Sequence, residues 1–147
     1  MGMARMTANL KIERYNHDGG EFWRMAGPLF ASAQVRRELG RPMTSSPMHV
    51  WWLAMIGGEV AGIAAIRRTK SYTELVHAYV LPVHRRKGIY TKLLRVRIAY
   101  AQPPLRATAT AASQPALEKA GFVQIGSRGR YAVMELGILQ DCSIARA

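Results

Sequence analysis

Between His49 and Arg67 the chain reads HVWWLAMIGGEVAGIAAIR, two near-continuous apolar runs (His49 to Ile56 and Val60 to Arg67) around Gly57, Gly58 and Glu59. Neither run alternates polar with apolar residues, so neither leaves a face for water. The glycine pair tolerates the positive φ angles of a tight hairpin turn. The stretch predicts two antiparallel strands buried on both faces, and helices from elsewhere in the chain must cover them.

Periodicity supplies the covering elements. Asn9 to Tyr15 (NLKIERY) alternates and predicts a half-buried strand followed by a turn at His17 to Gly20. Glu21 to Leu39 has helical spacing, with Gly27-Pro28 predicted to kink or split it. Tyr72 to Leu81 predicts a fourth strand, closed by Pro82. From Gly88 the period is helical: Ile89, Leu93, Val96 and Tyr100 share a face, and Lys92, Arg95 and Arg97 lie away from it. After Pro103-Pro104, Leu105 to Thr110 predicts a short strand. Ser113 as N-cap and Pro115 in the first turn predict a helix through Lys119 that Gly121 stops. Phe122 to Ile125 and Arg130 to Ile138 predict two last strands around the GSRG turn. The order β, α, β, β, β, α, β, α, β, β gives an α/β fold, a mixed and mostly antiparallel central sheet flanked by helices.

A chain of 147 residues suits one hydrophobic core, so residues 1–147 are expected to form a single domain. The first residues carry no apolar leader and Val50 to Ile56 is too short to span a bilayer, which predicts a soluble, cytoplasmic protein with no membrane partner. A lone cysteine, Cys142, has no second thiol for a disulfide or a metal site, and no metal is expected. Charge is the outlier. The chain carries 21 Lys and Arg against 9 Asp and Glu, a net +12, and Glu74 is the one acid between Val60 and Thr110. Such a field attracts anions and nucleic acid, although a basic face can also be merely solvated.

Residues 80–94, VLPVHRRKGIYTKLL, concentrate this charge where a strand gives way to a helix. A helix N-terminus presents unpaired N–H groups and partial positive charge, so the loop predicts an anion cradle built from Arg85, Arg86, Lys87, Gly88, Ile89, Tyr90 and Thr91. Gly88 lets the backbone approach a ligand, and Thr91 offers a hydroxyl from the first turn. The pattern is neither a Walker loop nor a GxGxxG dinucleotide motif. A basic helix entry with a packing glycine is the plainer alternative.

Val80, Pro82, Arg85 and Gly88 resemble the signature V-x-P-x-x-[RQ]-x-x-G-x-[GA] of the GCN5-related N-acetyltransferases, and ALEKAGF at residues 116–122 resembles that family's later helix-to-strand corner. The resemblance covers the element order from Asn9 to Ile138 and implies a sheet splayed at the fourth strand. It implies acetyl-CoA, or another acyl-CoA, as cofactor. The pyrophosphate would sit on the amides from Arg86 to Thr91, with Tyr79 and Val80 pairing by main chain with the pantetheine arm and Ser113 beside the cofactor. The chain departs from the pattern twice: Tyr90 stands at the last small position, and Leu117 where many members have a tyrosine acid.

Acyl transfer needs a neutral amine and a place for a departing thiolate. Glu74 stands where the histone-acetylating branch of the family has its general base, though it also suits an ion pair with Arg67, Arg68 or Lys70. His77 is the rival base, on the opposite strand face by simple alternation. Tyr131 is the candidate acid. Dimerisation is frequent in the family, so a homodimer is an option that no seam in this sequence marks.

Cations beyond the cradle, Arg36, Arg37, Arg41, Arg67, Arg68, Lys70, Arg128 and Arg130, predict a polyanionic acceptor, DNA or RNA. The expected function is acyl transfer to an amine on a DNA base, in loose resemblance to phage acyltransferases of the Mom class, or on an aminoacyl-tRNA. Transfer to a protein or small-molecule amine, and non-catalytic nucleic-acid binding on the same scaffold, are the alternatives. Trp51 and Trp52 fit a core strand, with base stacking their other use.

Overall fold

The computed structural model describes residues 9–137; Cys142 and Ile138 lie outside them. Strands β2 (His49–Ile56) and β3 (Glu59–Arg68) form the expected hairpin, with Gly57 and Gly58 at φ 59° and 84° in its turn. Only glycine adopts two such angles in succession without strain, which is why the hairpin turns there.

β1 (Leu10–Asn16) pairs antiparallel with β2, and β4 (Thr73–Val80) with β3. β5 (Leu105–Ala109), β6 (Val123–Arg128) and β7 (Tyr131–Leu136) complete a seven-stranded sheet of order β1-β2-β3-β4-β5-β7-β6. All pairs are antiparallel except β4 with β5, which run parallel through three registered pairs and then part.

Both faces are covered, as the apolar runs require. On one face Trp51, Leu53, Ile63 and Ala65 pack with Phe22 and Ala26 of helix α1 (Gly20–Phe30) and Val35 of α2 (Ala33–Leu39). On the other, Trp52, Ala54, Ala64 and Ile66 pack with Ile89, Leu93 and Leu94 of α3 (Ile89–Tyr100) and Leu117 of α4 (Gln114–Lys119). Each large side chain so buried contributes about 1.5–3 kcal/mol. Trp51 and Trp52, at 0% and 4% exposure, are core residues that no base can stack on.

Local signals moved some boundaries. α1 continues through Pro28, and the break falls at Ala31-Ser32, because Ser32 caps α2 by accepting the Val35 amide at 3.2 Å. Ser113 occupies the N-cap of α4 without capping it; its hydroxyl accepts from the Thr110 amide at 3.0 Å. The last hairpin turns at Gly129-Arg130 instead of across GSRG, since Gly129 takes φ 61° and Arg128 pairs with Tyr131.

Candidate active site

The site begins with one extra residue in β4. Ile63 pairs with Tyr79 and Ala65 with Val76, so two residues of β4 stand against one of β3, and His77 takes φ 59° at the bulge. The bulge turns the His77 ring onto the face of Glu74 and Val76, where it stacks on Trp51 at 5.6 Å and on His49 at 5.8 Å. Simple alternation would have put it on the other face. Beyond Leu75, β4 no longer pairs with β5, and the gap between them opens a cavity of about 270 Å³. Glu74 and His77 stand at one side of this cavity and Tyr90, Arg97, Ser113 and Leu117 at the other.

Leaving β4, the chain makes a short 3-10 turn at Pro82–His84 and enters α3 through Arg86 at φ 66° and Gly88 at φ 79°. Among the described residues, no amide from Arg86 to Thr91 donates to a protein acceptor. Five of these six residues, Arg86 and Gly88 to Thr91, line a groove of about 390 Å³ together with Val80, His84 and Arg85. Arg86, Lys87 and Thr91 are exposed beside it. Unpaired amides at a helix start, with full positive charges around them, fit the pyrophosphate of a coenzyme A. Tyr90 borders both the groove and the cavity between β4 and β5, so the two lie on either side of its side chain, whereas Ser113 borders only the cavity.

Arg85 is placed differently from its neighbours. Its Nε donates to the Val80 carbonyl at 2.8 Å and its Nη2 to Glu38 at 2.7 Å. The Arg85 guanidinium holds the Glu38 carboxyl down at about 2. A pantetheine arm pairing with the Val80 carbonyl would share that acceptor with Arg85, using its second lone pair. Tyr79 is buried beneath the Arg85 guanidinium, which lies 5.3 Å from its ring centre.

Glu74 accepts from Arg67 at 2.5 Å, and their strand register continues to Arg106 and Glu135, which pair at 3.0 Å. The result is a row of alternating charges across β3, β4, β5 and β7 on one face. His77 is lowered to about 4, chiefly by burial and then by Arg41, His49 and Arg67, so it is neutral at physiological pH; its Nε2 accepts a long hydrogen bond from the Thr44 amide at 3.5 Å. Burial, followed by Arg67, also lowers His49. Tyr131 starts β7 with the Arg130 guanidinium 5.5 Å from its ring centre, and it lines neither the groove nor the cavity.

Of the remaining cations, Arg41, Arg67 and Arg128 converge. Together with Glu74, His49 and His77 they line an open pocket of about 390 Å³ that continues the cavity on the α2 side of the sheet. Arg36 and Arg37 lie exposed in the last turn of α2, and Arg68 and Lys70 at the exposed end of the β3–β4 connection. Arg130 sits in the last turn.

Arg97 escaped the sequence reading. Expected on the outer side of α3, it is 2% exposed and donates to the carbonyls of Leu93 at 3.2 Å and Ala65 at 3.3 Å. The signal was its spacing, since Ile89, Leu93 and Arg97 are successive fourth residues on the buried stripe.

The comparisons with known proteins agree with this geometry. The model of the acetyltransferase (GNAT) domain matches residues 27–135. Among solved structures, Escherichia coli ElaA superposes with a TM-score of 0.68 at 14% identity, covering 86% of this chain and 98% of its own. An acetyltransferase from Thermus thermophilus gives 0.64 at 13% identity over 86% and 95% of the two chains. A GNAT family acetyltransferase from Elizabethkingia anophelis, solved with acetyl-CoA bound, gives 0.58 at 16% identity over 88% and 98%. No curated protein matches the sequence. With the domain model spanning most of the sheet, the splayed fourth strand and the helix that follows it, the chain belongs to the GNAT acetyltransferase domain family and is an acetyl-CoA-dependent N-acetyltransferase of that type.

Proposed function

We propose that the enzyme transfers an acetyl group to an amine carried by a nucleic acid: an amine of a DNA base, as in Mom-class modification, or the α-amino group of an aminoacyl-tRNA. The observation that carries this reading is the convergence of Arg41, Arg67 and Arg128 on the pocket that holds Glu74 and His77. A lysine-rich tail or a polyamine would be repelled there, and a phosphate backbone attracted. Arg36, Arg37, Arg68, Lys70 and Arg130 extend the attraction outward.

The proton chemistry points the same way. Acetyl-CoA supplies an activated thioester; the protein has to position the amine and remove its proton. His77 takes that proton, being neutral and free of any carboxylate, while Glu74, tied to Arg67, fixes the field around it. A histidine lowered to about 4 is a weak base. It suits an exocyclic base amine, which is neutral at pH 7, or an α-amino group of pKa about 7.7–8.0, of which roughly a tenth is neutral there, better than a lysine near 10.4, which is almost wholly protonated. A base in duplex DNA would have to be flipped out to reach the pocket.

On the donor side Arg86 to Thr91 hold the phosphates, and Tyr79, Val80, Arg85 and Ser113 border the arm and the thioester. The test is transfer of radiolabel from acetyl-CoA to equal masses of tRNA, charged tRNA, phage DNA and a mixed protein fraction. Label in a nucleic-acid pool is expected, and label in protein alone would refute the acceptor assignment.

A further inference from the structure

The cavity between β4 and β5 is asymmetric in a way that the phosphate groove and the acceptor pocket do not explain. Its inner end holds a guanidinium that is almost fully buried and has no carboxylate partner: among the described residues every salt bridge involves another cation. Two of the three Arg97 nitrogens donate to backbone carbonyls, Nε to Leu93 and Nη1 to Ala65. Nη2 makes no hydrogen bond to a backbone carbonyl or a carboxylate among the described residues; its polar neighbour is the Tyr90 hydroxyl, and both side chains line the cavity. Carbonyl dipoles solvate the cation but leave its net charge in place. A buried, uncompensated charge is costly and calls for an anion.

We propose that Arg97 is the catalytic group that stabilises the thiolate leaving the acyl donor. The assignment rests on the acyl-transfer reading. The groove and this cavity adjoin at Tyr90, and a donor seated in the groove would reach past that side chain; Glu74 and His77 line the acceptor side of the cavity and Arg97, Ser113 and Leu117 its other wall. An amine entering from the acceptor side forms its bond to the acyl carbon. The carbon–sulfur bond breaks with its electron pair on sulfur, directed at Arg97. The surplus amine proton passes to His77 and on to water, and the thiolate takes a proton from water on release. Leu117, on the same wall, has no proton to give, so the fixed positive charge takes the place of an acid.

The test is the pH dependence of coenzyme A affinity, measured by calorimetry against desulfo-coenzyme A. A free thiol titrates near about pH 8.5. If Arg97 favours the thiolate, affinity for coenzyme A relative to the desulfo compound rises about tenfold between roughly pH 7 and pH 9.5. Tyr90 is the nearest titratable neighbour, and Glu38, Arg41, Glu74 and His77 edge the cavity; they meet both ligands alike, so the ratio removes their contribution. R97M is expected to flatten the ratio and R97K to retain part of the rise. A flat ratio in the wild type, which needs no variant to fold, overturns the assignment, as does a full rise in R97M. Failure of both ligands to bind would instead sink the cofactor reading itself, and the assignment with it.

Discussion

His77 sits at φ 59° because β4 carries one residue more than β3 opposite it, and that single irregularity moves an imidazole from the helix α3 face into the pocket lined by Arg41, Arg67 and Arg128. Strand alternation could not have shown this. Its pKa, lowered from 6.5 to about 4, has a consequence for stability. The unfolded chain binds a proton at higher pH than the folded one, so the contribution is complete above about pH 6.5 and is lost as pH falls toward about 4. Urea denaturation at these two limits should show wild type losing ~1–2 kcal/mol more than H77Q, allowing for solvent around a partly exposed ring. Equal losses would mean that the ring titrates normally. In turnover, H77Q should lower kcat about a hundredfold and E74Q less than tenfold, and the reverse order would assign the base to Glu74.

Helix α3 is the element on which the proposed donor site depends, and its seat is Gly62. A Cβ there would stand 3.2 Å from Ile89 and 3.3 Å from both Leu93 and the Tyr79 carbonyl, so an added methyl crowds the contact between α3 and β3 and forces its neighbours to shift. G62A should cost ~1–3 kcal/mol in thermal or urea unfolding. At Gly88 the surroundings are open and conformation alone decides: φ 79° strains any other residue, and G88A should cost ~1 kcal/mol. Most elements were legible from periodicity, and the hairpin at Gly57-Gly58 most clearly, because a glycine pair between apolar runs admits few conformations. What was not legible had specific causes. The Ser32 cap outweighed Pro28 in setting the helix break, a charged residue on an apolar stripe hid the burial of Arg97, and the splay after Leu75 depends on a parallel pairing between strands far apart in sequence.

At the scale of the molecule, the +12 charge divides among distinct surfaces. Arg86 lines the groove at the start of α3 with Lys87 exposed beside it, Arg85 is held by Glu38, Arg97 is interior, and Arg41, Arg67 and Arg128 line the pocket proposed for the acceptor. Replacing Arg41 and Arg128 by glutamine should reduce the slope of log affinity for tRNA or DNA against log salt by about one for each phosphate contact removed, read by fluorescence anisotropy. An unchanged slope would place the nucleic acid elsewhere. The resemblance at residues 80–94 implies a cradle on this segment, where the fold leaves the amides unpaired beside a groove, but it gives no sign of the bond from Arg85 to the Val80 carbonyl at the groove's edge. The central claim is that Arg86 to Thr91 cradle the acyl donor, and calorimetric titration with acetyl-CoA tests it most directly. Wild type should bind with a Kd of about 10 μM or tighter, and a double variant R86A/K87A should bind at least about tenfold more weakly with an unchanged melting temperature. No heat of binding in the wild type, or equal affinity in the double variant, would contradict the account.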